Sequence, residues 1–376
     1  MKRICVSVSS DLVSDNRVNK TCFSLQQLGL DVVLIGRRKR TKSLDLAKRS
    51  YCCLRMNLLF ETSFLFYAEL NLRLFIYLLF HKQDILWSND LDTLPANYLV
   101  SRLKNKPLIF DSHEHFTEVP ELKYNLFAKK TWKRIERTIL PRLKYVITVC
   151  NPIAAYFKEN YAIEAIIVRN MLPKSLSSDI QSSKPYLDMA IDNNKPILIW
   201  QGAINIERGI EELLEAMTKV EAYLYIIGDG KIVSQVKQMA KRLKLDDKVF
   251  FLPRMPYQQM IALTQQATLG LSLDKNTNTN YAISLPNKVF EYISAHIPIL
   301  ASDLSEIRAT IEQYEVGEFI WEITPKEIAK RINEMLNDDV KLAQYKANTY
   351  RASEILCWEN EEKKIQDIVE NILNKK

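Results

Sequence analysis

The stretch Tyr281–Arg308, YAISLPNKVFEYISAHIPILASDLSEIR, carries the strongest local signal in the chain. Ser284-Leu285-Pro286-Asn287 reads as a turn that opens a helix, with Lys288, Val289, Phe290, Glu291, Tyr292 and Ile293 as its first turns. Ile297 to Ser302 follows as a short apolar strand. A helix start presents unpaired backbone N–H groups and a positive dipole end, which suits a phosphate. Lys288 adds a mobile cation at that mouth. Glu291, one turn further in, is placed to accept two hydrogen bonds from the vicinal hydroxyls of a ribose. Ser284, Leu285, Pro286, Asn287, Lys288 and Glu291 are therefore the candidate contacts of a nucleoside diphosphate. A plainer reading stays open on this stretch alone: Pro286 merely opens a helix and Glu291 lies on a solvated face.

The chain has 376 residues, room for two domains that each bury a full core. Its 47% hydrophobic and 26% charged residues are those of an ordinary globular protein. A net charge of +7 favours anionic partners, and no RNA- or DNA-binding signature accompanies it. Only 8 glycines argue against Gly-rich phosphate loops of the P-loop or G-x-G-x-x-G type. The six cysteines have no metal-ligand spacing and read as reduced thiols. Met1-Lys2-Arg3 runs directly into the strand Ile4–Val8 rather than into a signal-peptide core, so the expectation is a cytoplasmic protein.

From the start, strand Ile4–Val8, the loop Ser9–Arg17, helix Val18–Leu28 with Gly29 as its cap, and strand Asp31–Ile35 give a β-α-β unit. That pattern implies a parallel, doubly wound sheet whose ligands sit at the carboxyl ends of the strands. Strand Asp84–Ser88 leads to Asn89-Asp90-Leu91-Asp92, followed by a helix over Thr93–Leu103. Strand Pro107–Phe110 ends at Asp111-Ser112-His113-Glu114. A His at a strand's carboxyl end is well placed to bond a sugar or orient the reacting centre, and Glu114 to orient that His or meet the acceptor. A His satisfied within the fold is the alternative. The basic run Arg37–Arg40 with Lys42 reads as a solvated loop, with anionic headgroups as its other reading. Leu58–Phe80 is as long as a membrane span, but Glu61, Glu69 and Arg73 interrupt it. It reads as a helix packed on the domain with an exposed aromatic-aliphatic face. The stretch Lys129–Lys144 is a basic amphipathic helix up to Pro141; with Leu58–Phe80 it could form a membrane-facing patch.

Lys174–Lys195, rich in Ser, Asp, Asn and Lys, reads as a linker. Ile197–Trp200 opens a second β-α-β series, ending at Gln201-Gly202, with Glu207-Arg208-Gly209 ahead of a helix over Ile210–Met217. Gly202 permits close backbone approach, and Arg208 can neutralise a diphosphate bidentately. Tyr223–Ile227 ends at Gly228-Asp229-Gly230, and Val249–Leu252 runs out at Pro253-Arg254-Met255. The chain closes with an amphipathic helix ending at Leu373.

The motif PNKVFEYISAHIPILASD resembles the C-terminal signature of glycosyltransferase family 4, whose members have the two-domain glycosyltransferase-B fold. The P-N-K-x-F-E-Y form and the D-x-R-V-x-K form at Asp15, Arg17, Val18 and Lys20 resemble a branch acting on bacterial envelope polysaccharides. The resemblance implies two Rossmann-like, doubly wound parallel-sheet α/β domains facing a cleft. Residues 1–172 would bind the acceptor, 173–195 link the halves, 196–354 bind the nucleotide-sugar, and 355–376 form a helix crossing back. It further implies a retaining, metal-independent transferase with no cofactor, and a donor held by Gly202, Arg208, Gly228, the Arg254 and Met255 backbone, and Glu291 on the ribose. His113, Arg208 and Lys288 would act at the reacting centre. Asp15, Arg17, Asn89, Asp90 and Glu114 would lie on the acceptor side, with Asn89-Asp90 similar to an H/N-D loop of the family. The acceptor would be a glycan or polyprenyl-linked molecule, with peripheral contact to the cytoplasmic face of the inner membrane and no nucleic acid. The family's Glu-x7-Glu pattern is broken, because Ile283 stands where the first Glu belongs, and Ala203 replaces a usual Arg. Those departures keep two alternatives: a sugar-nucleotide epimerase on the same fold, and a non-catalytic partner subunit.

Overall fold

The computed structural model describes residues 1–13, 15–39, 46, 48–119, 122, 125–174, 195–277, 282–283 and 285–374. Ser284 and the basic residues Arg40 and Lys42 lie outside the described residues. The chain forms two compact units, Met1–Arg169 with Glu361–Lys376, and Asn170–Asn360.

The first unit carries a seven-stranded sheet: β1 (Arg3–Ser7), β2 (Asp31–Arg38), β3 (Cys52–Asn57), β4 (Ile85–Asn89), β5 (Leu108–Ser112), β6 (Tyr145–Thr148) and β7 (Ile166–Ile167). Their order is β3-β2-β1-β4-β5-β6-β7, and every pairing is parallel. Ile4 stands opposite Val32 on one side and Ile85 on the other, so β1 is central and its Ile4, Cys5 and Val6 are fully buried. Strands covered on both faces read as continuous apolar runs, which is why these were legible. Strand β3 was not foreseen; as an edge strand reading CCLRMN it has neither an apolar run nor clean alternation.

The helices of this unit are α1 (Asn16–Gln27), α2 (Ser63–Phe80), α3 (Asp90–Lys104), α4 (Leu126–Ile139) and α5 (Asn151–Tyr161). Helix α2 buries Phe66, Leu70, Leu74 and Leu78, one row at four-residue spacing. Its opposite face leaves Phe64, Leu72, Ile76 and Phe80 exposed. Among the described residues it is the one helix long and apolar enough to cross a membrane by length and composition, and 22% of it is buried. The charges that interrupt it are tied up: Arg73 pairs with Glu69 at 2.8 Å, and Glu69 accepts the N–H groups of Leu59 and Phe60. The basic run after β2 is less of a free loop than its charge suggests, since Arg37 lies over the Phe66 ring and bonds the Glu61 carbonyl.

The second unit has β8 (Ile197–Gln201), β9 (Tyr223–Ile227), β10 (Val249–Leu252), β11 (Leu269–Ser272), β12 (Ile299–Ser302) and β13 (Gly317–Ile320), all parallel in the order β10-β9-β8-β11-β12-β13. Its helices are α6 (Ile210–Ala216), α7 (Val233–Arg242), α8 (Tyr257–Thr264), α9 (Asn287–Ser294), α10 (Ser305–Tyr314), α11 (Pro325–Leu336) and α12 (Asp339–Ile355). Helix α13 (Trp358–Leu373) follows, and from Glu361 on it belongs to the first unit. Glu361 accepts the Arg169 N–H and Lys364 donates to the Ile167 carbonyl, which fastens that helix to β7.

Strand order reverses between β1 and β4 in one sheet and between β8 and β11 in the other. A doubly wound sheet opens a crevice at the carboxyl ends of its strands at such a switch point. In each unit the switch point is where such a sheet is expected to take a ligand.

Candidate functional site

In the second unit, the switch-point strands β8 and β11 end at Gln201 and Ser272, Asp274 follows two residues after β11, and α9 starts beside it. Helix α9 starts after Pro286, whose side chain caps none of the first N–H groups, and the Val289 N–H turns back to the Pro286 carbonyl at 3.0 Å. Lys288 does not behave as the mobile cation its position suggested. It is 6% exposed, its Nζ lies 3.2 Å from Asp274 Oδ2, and it sits 4.7 Å from the centre of the Trp200 ring. Helical periodicity turns position 288 inward, where an ion pair and a ring face replace water. Arg208 Nη1 reaches the other oxygen, Asp274 Oδ1, at 2.8 Å. Asp274 is wholly buried; burial opposes its charge, yet Lys288 and Arg208 outweigh it and hold the carboxyl below its usual range. Burial lowers Lys288, with Asp274 pulling it back up. Local sequence does not single out Asp274, because its partners come from distant segments.

Glu291 is one turn on and buried, but it is not bare. Its Oε2 accepts from Gln201 Nε2 and its Oε1 from the Tyr257 hydroxyl at 3.0 Å. Thr264 Oγ1 donates to Gln201 Oε1 at 2.9 Å, so Gln201 cannot rotate. Burial, then the Glu291 charge, raises Tyr257 well above its usual range, so it stays a donor. The carboxylate is held on both of its oxygens. Gln201, Tyr257 and Thr264 were missed because their convergence is tertiary.

Gly228 packs against the Gly202 backbone, while a Cβ at Gly202 would meet a Trp200 ring atom at an ordinary 3.8 Å. Gly202 and Gly228 take φ of +138° and +150°, and a Cβ at position 228 would lie 1.9 Å from the Gly202 carbonyl oxygen. The two strand exits pack backbone on backbone, which only glycine permits. Arg254 is exposed and Met255 half-buried on the β10 exit, while Leu285 and Pro286 are half-buried and Asn287 exposed ahead of α9.

In the first unit a charged chain runs across the ends of β4 and β5. Arg17, 5% exposed, donates to Asp111 Oδ1 at 2.8 Å and to the Val168 carbonyl. His113 Nε2 lies 3.3 Å from Asp111 Oδ2, and its Nδ1 lies 3.4 Å from Asp90 Oδ2. Asp90 Oδ1 also accepts the His113 backbone N–H at 2.8 Å. Burial alone would lower His113; the Asp90 and Asp111 carboxylates reverse this and push it up to about 9. It is an imidazolium at neutral pH. Burial raises Asp90, while Arg17 and His113 overcome burial to keep Asp111 low. The helix expected from Thr93 already begins at Asp90, which adopts φ +56°, so both Asp90 and Asp92 lie in its first turn. Burial, reinforced by Asp90, lifts Asp92 to about 7. Asn89 turns inward to donate to the Ser7 carbonyl, and Asp15 caps α1 through Val18 N–H. Glu114 is half-buried; its backbone carbonyl accepts from Ser112 Oγ. The structure thus joins Arg17 and His113 through Asp111 and Asp90 through His113, and leaves Asp15 and Asn89 as supports of loops. Among the described residues, no set of three or more His, Cys, Asp or Glu could hold a metal ion.

Residues 16–170 match the family model of Glycosyltransferase Family 4, and residues 188–352 match that of Glycosyl transferases group 1. Compared with the curated proteins, the chain finds no match. Three solved structures are similar along the whole length. Sucrose-phosphate synthase from Thermosynechococcus elongatus gives a TM-score of 0.82 at 14% identity, with 100% of each chain covered. Alr3699/HepE of Anabaena, in complex with UDP-glucose, gives 0.78 at 16%, covering 99% of this chain and 100% of that one. A glycosyltransferase from Rickettsia africae ESF-5 gives 0.77 at 16%, covering 100% and 99%. At such identities the likeness speaks for the fold.

Proposed function

This chain belongs to the glycosyltransferase family that the two models describe, with its glycosyltransferase-B fold, and from that premise we propose a retaining sugar transfer. The donor is a nucleoside diphosphate sugar, with UDP as in the Anabaena complex the first candidate. The acceptor is a glycan or lipid-linked molecule of a bacterial cell surface.

One observation carries this reading: a fixed carboxylate, Glu291, stands one helical turn beyond Lys288, and Lys288 and Arg208 converge on Asp274 at the switch point of the second sheet. Glu291 takes the ribose hydroxyls. Arg208, Lys288 and the first N–H groups of α9 stabilise the departing diphosphate, whose charge grows as the glycosidic bond breaks. The acceptor hydroxyl attacks the anomeric carbon on the face that the diphosphate leaves, and a phosphate oxygen takes its proton. That route needs no side-chain nucleophile and no metal. His113 enters as a fixed positive charge rather than as a base, because Asp90 and Asp111 hold its proton.

The first unit also supports contact with an anionic membrane surface. Helix α2 is joined to α4 by the Tyr67–Trp132 ring contact at 5.2 Å, and its other face leaves Phe64, Leu72, Ile76 and Phe80 exposed. A groove of about 440 Å³ on α4 is lined by Lys130, Lys133, Arg134, Arg137 and Thr138, and Phe127 is 81% exposed at its head. An apolar row beside a cationic row is the chemistry of an interfacial helix pair.

Ile283 in place of the family's first Glu favours a second reading, a donor-binding subunit without catalysis. Hydrolysis of UDP-glucose separates the two. Slow UDP release by the wild type, cut on the order of a hundredfold or more in Lys288→Ala, supports transfer chemistry. UDP binding without any release supports the subunit.

A further inference from the structure

Asp274 has no part in the donor contacts named above, yet two separate loops converge on it. Arg208 stands in the turn before α6, and that turn lies directly on the β11 exit. A Cβ at Gly209, where φ is +71°, would meet the Leu273 carbonyl oxygen at 2.3 Å, and Lys275 N–H donates to the Glu207 carbonyl at 2.9 Å. Lys288 arrives from the start of α9. Each Asp274 oxygen takes one of the two cations, and Ser272 Oγ adds a contact to Oδ2 at 3.5 Å. We propose that Asp274 is a positioning residue that assembles the diphosphate site, holding Arg208 and Lys288 in one arrangement and leaving the cluster a single net positive charge. The inference rests on the donor-site reading and deepens it.

The physical case is the cost of the alternative. Two cations converging from different loops repel, and Lys288 at 6% exposure would be a buried charge without a counter-ion. With Asp274 in place the two partners differ in access. Arg208 keeps 23% of its side-chain surface in solvent, so an incoming phosphate meets it first, while Lys288 stays behind against Trp200. The charged groups that face Lys288 are Asp274, Arg208 and Glu291, and those facing Asp274 are Lys288 and Arg208. The neighbouring Lys275 is closed on Glu212. Removing the Asp274 charge therefore leaves Lys288, among the described residues, with Glu291 one turn along α9 as its remaining carboxylate, and its proton is lost at lower pH.

The test is UDP affinity by isothermal titration at pH 7 and pH 9 for wild type, Asp274→Asn, Lys288→Met and the double variant, each checked for folding by circular dichroism. Wild type is expected to change less than threefold between the two pH values. Asp274→Asn is expected to bind about tenfold more weakly at pH 9 than at pH 7. Lys288→Met and the double variant are expected to match each other and to be flat with pH, because Asp274 acts through Lys288. The proposal is overturned if Asp274→Asn keeps the wild-type affinity and profile, or if its loss simply adds to that of Lys288→Met. Should Asp274→Asn fail to fold, the comparison of Lys288→Met with the double variant decides on the same terms. A wild type that binds no nucleoside diphosphate at all sinks the donor reading instead, which is a different result.

Discussion

Replacing Arg17 with Met tests how the first unit holds its charges. Arg17 and Asp111 are 5% and 1% exposed, and their 2.8 Å contact is buried. Methionine keeps most of the side-chain volume but leaves the Asp111 carboxylate with His113 as its nearest cation. Breaking one side of a buried pair costs about 3–5 kcal/mol, and His113 offsets part of this, so the expected loss is roughly 3 kcal/mol. For a unit of this size each kcal/mol lowers Tm by about 2–4 °C, which gives a drop on the order of 6–12 °C. Differential scanning calorimetry reads it directly. Asp111→Asn added to Arg17→Met is expected to recover at least half of the loss, because it removes the orphaned charge rather than the contact. The reasoning is refuted if Arg17→Met costs under about 1 kcal/mol, or if the double variant is no more stable than the single one.

Three other outcomes follow from the same geometry. His113 has a folded value of about 9, above its ordinary range, so its contribution is complete below about pH 6.5 and is lost as pH rises through about 9; His113→Gln should flatten the stability of the first unit across that window, and an unchanged pH profile would contradict the assigned pairing. Gly228→Ala puts a Cβ into the Gly202 carbonyl at a backbone angle that disfavours side chains, so about 2 kcal/mol or more should vanish from the urea-unfolding free energy; a near-neutral variant would mean the strand exits are not packed as described. Lys130→Ala, Arg134→Ala and Arg137→Ala together should weaken sedimentation with phosphatidylserine vesicles by roughly a hundredfold at about fivefold per charge, with neutral vesicles and self-association measured alongside; equal binding of the triple variant would remove the membrane proposal.

Much of the architecture could be read from the chain because parallel strands buried on both faces are written as apolar runs between turn residues. Ile4–Val8, Tyr223–Ile227 and Val249–Leu252 were recognisable this way. Cys52–Asn57 was not, since an edge strand needs no continuous apolar run. The α9 motif was legible as a local signal: Pro286, Lys288 and Glu291 are close in sequence and their roles depend on helix geometry. What escaped was everything built from distant segments. Asp274 meets a cation 66 residues earlier, and Gln201 reaches a carboxylate 90 residues on. Lys288 looked mobile because sequence gives charge but not burial. His113 looked like a group for a sugar, and the structure adds that two carboxylates hold its proton.

The donor site itself is tested most directly by UDP titration into wild type and Glu291→Ala, with both shown to be folded. Glu291 is fixed by Gln201 and Tyr257, and on the proposed donor reading it takes the ribose, so its removal should weaken UDP by about tenfold or more, the loss of one charged hydrogen-bond pair. Equal affinity of the two proteins for UDP would mean that the nucleotide does not bind at the start of α9.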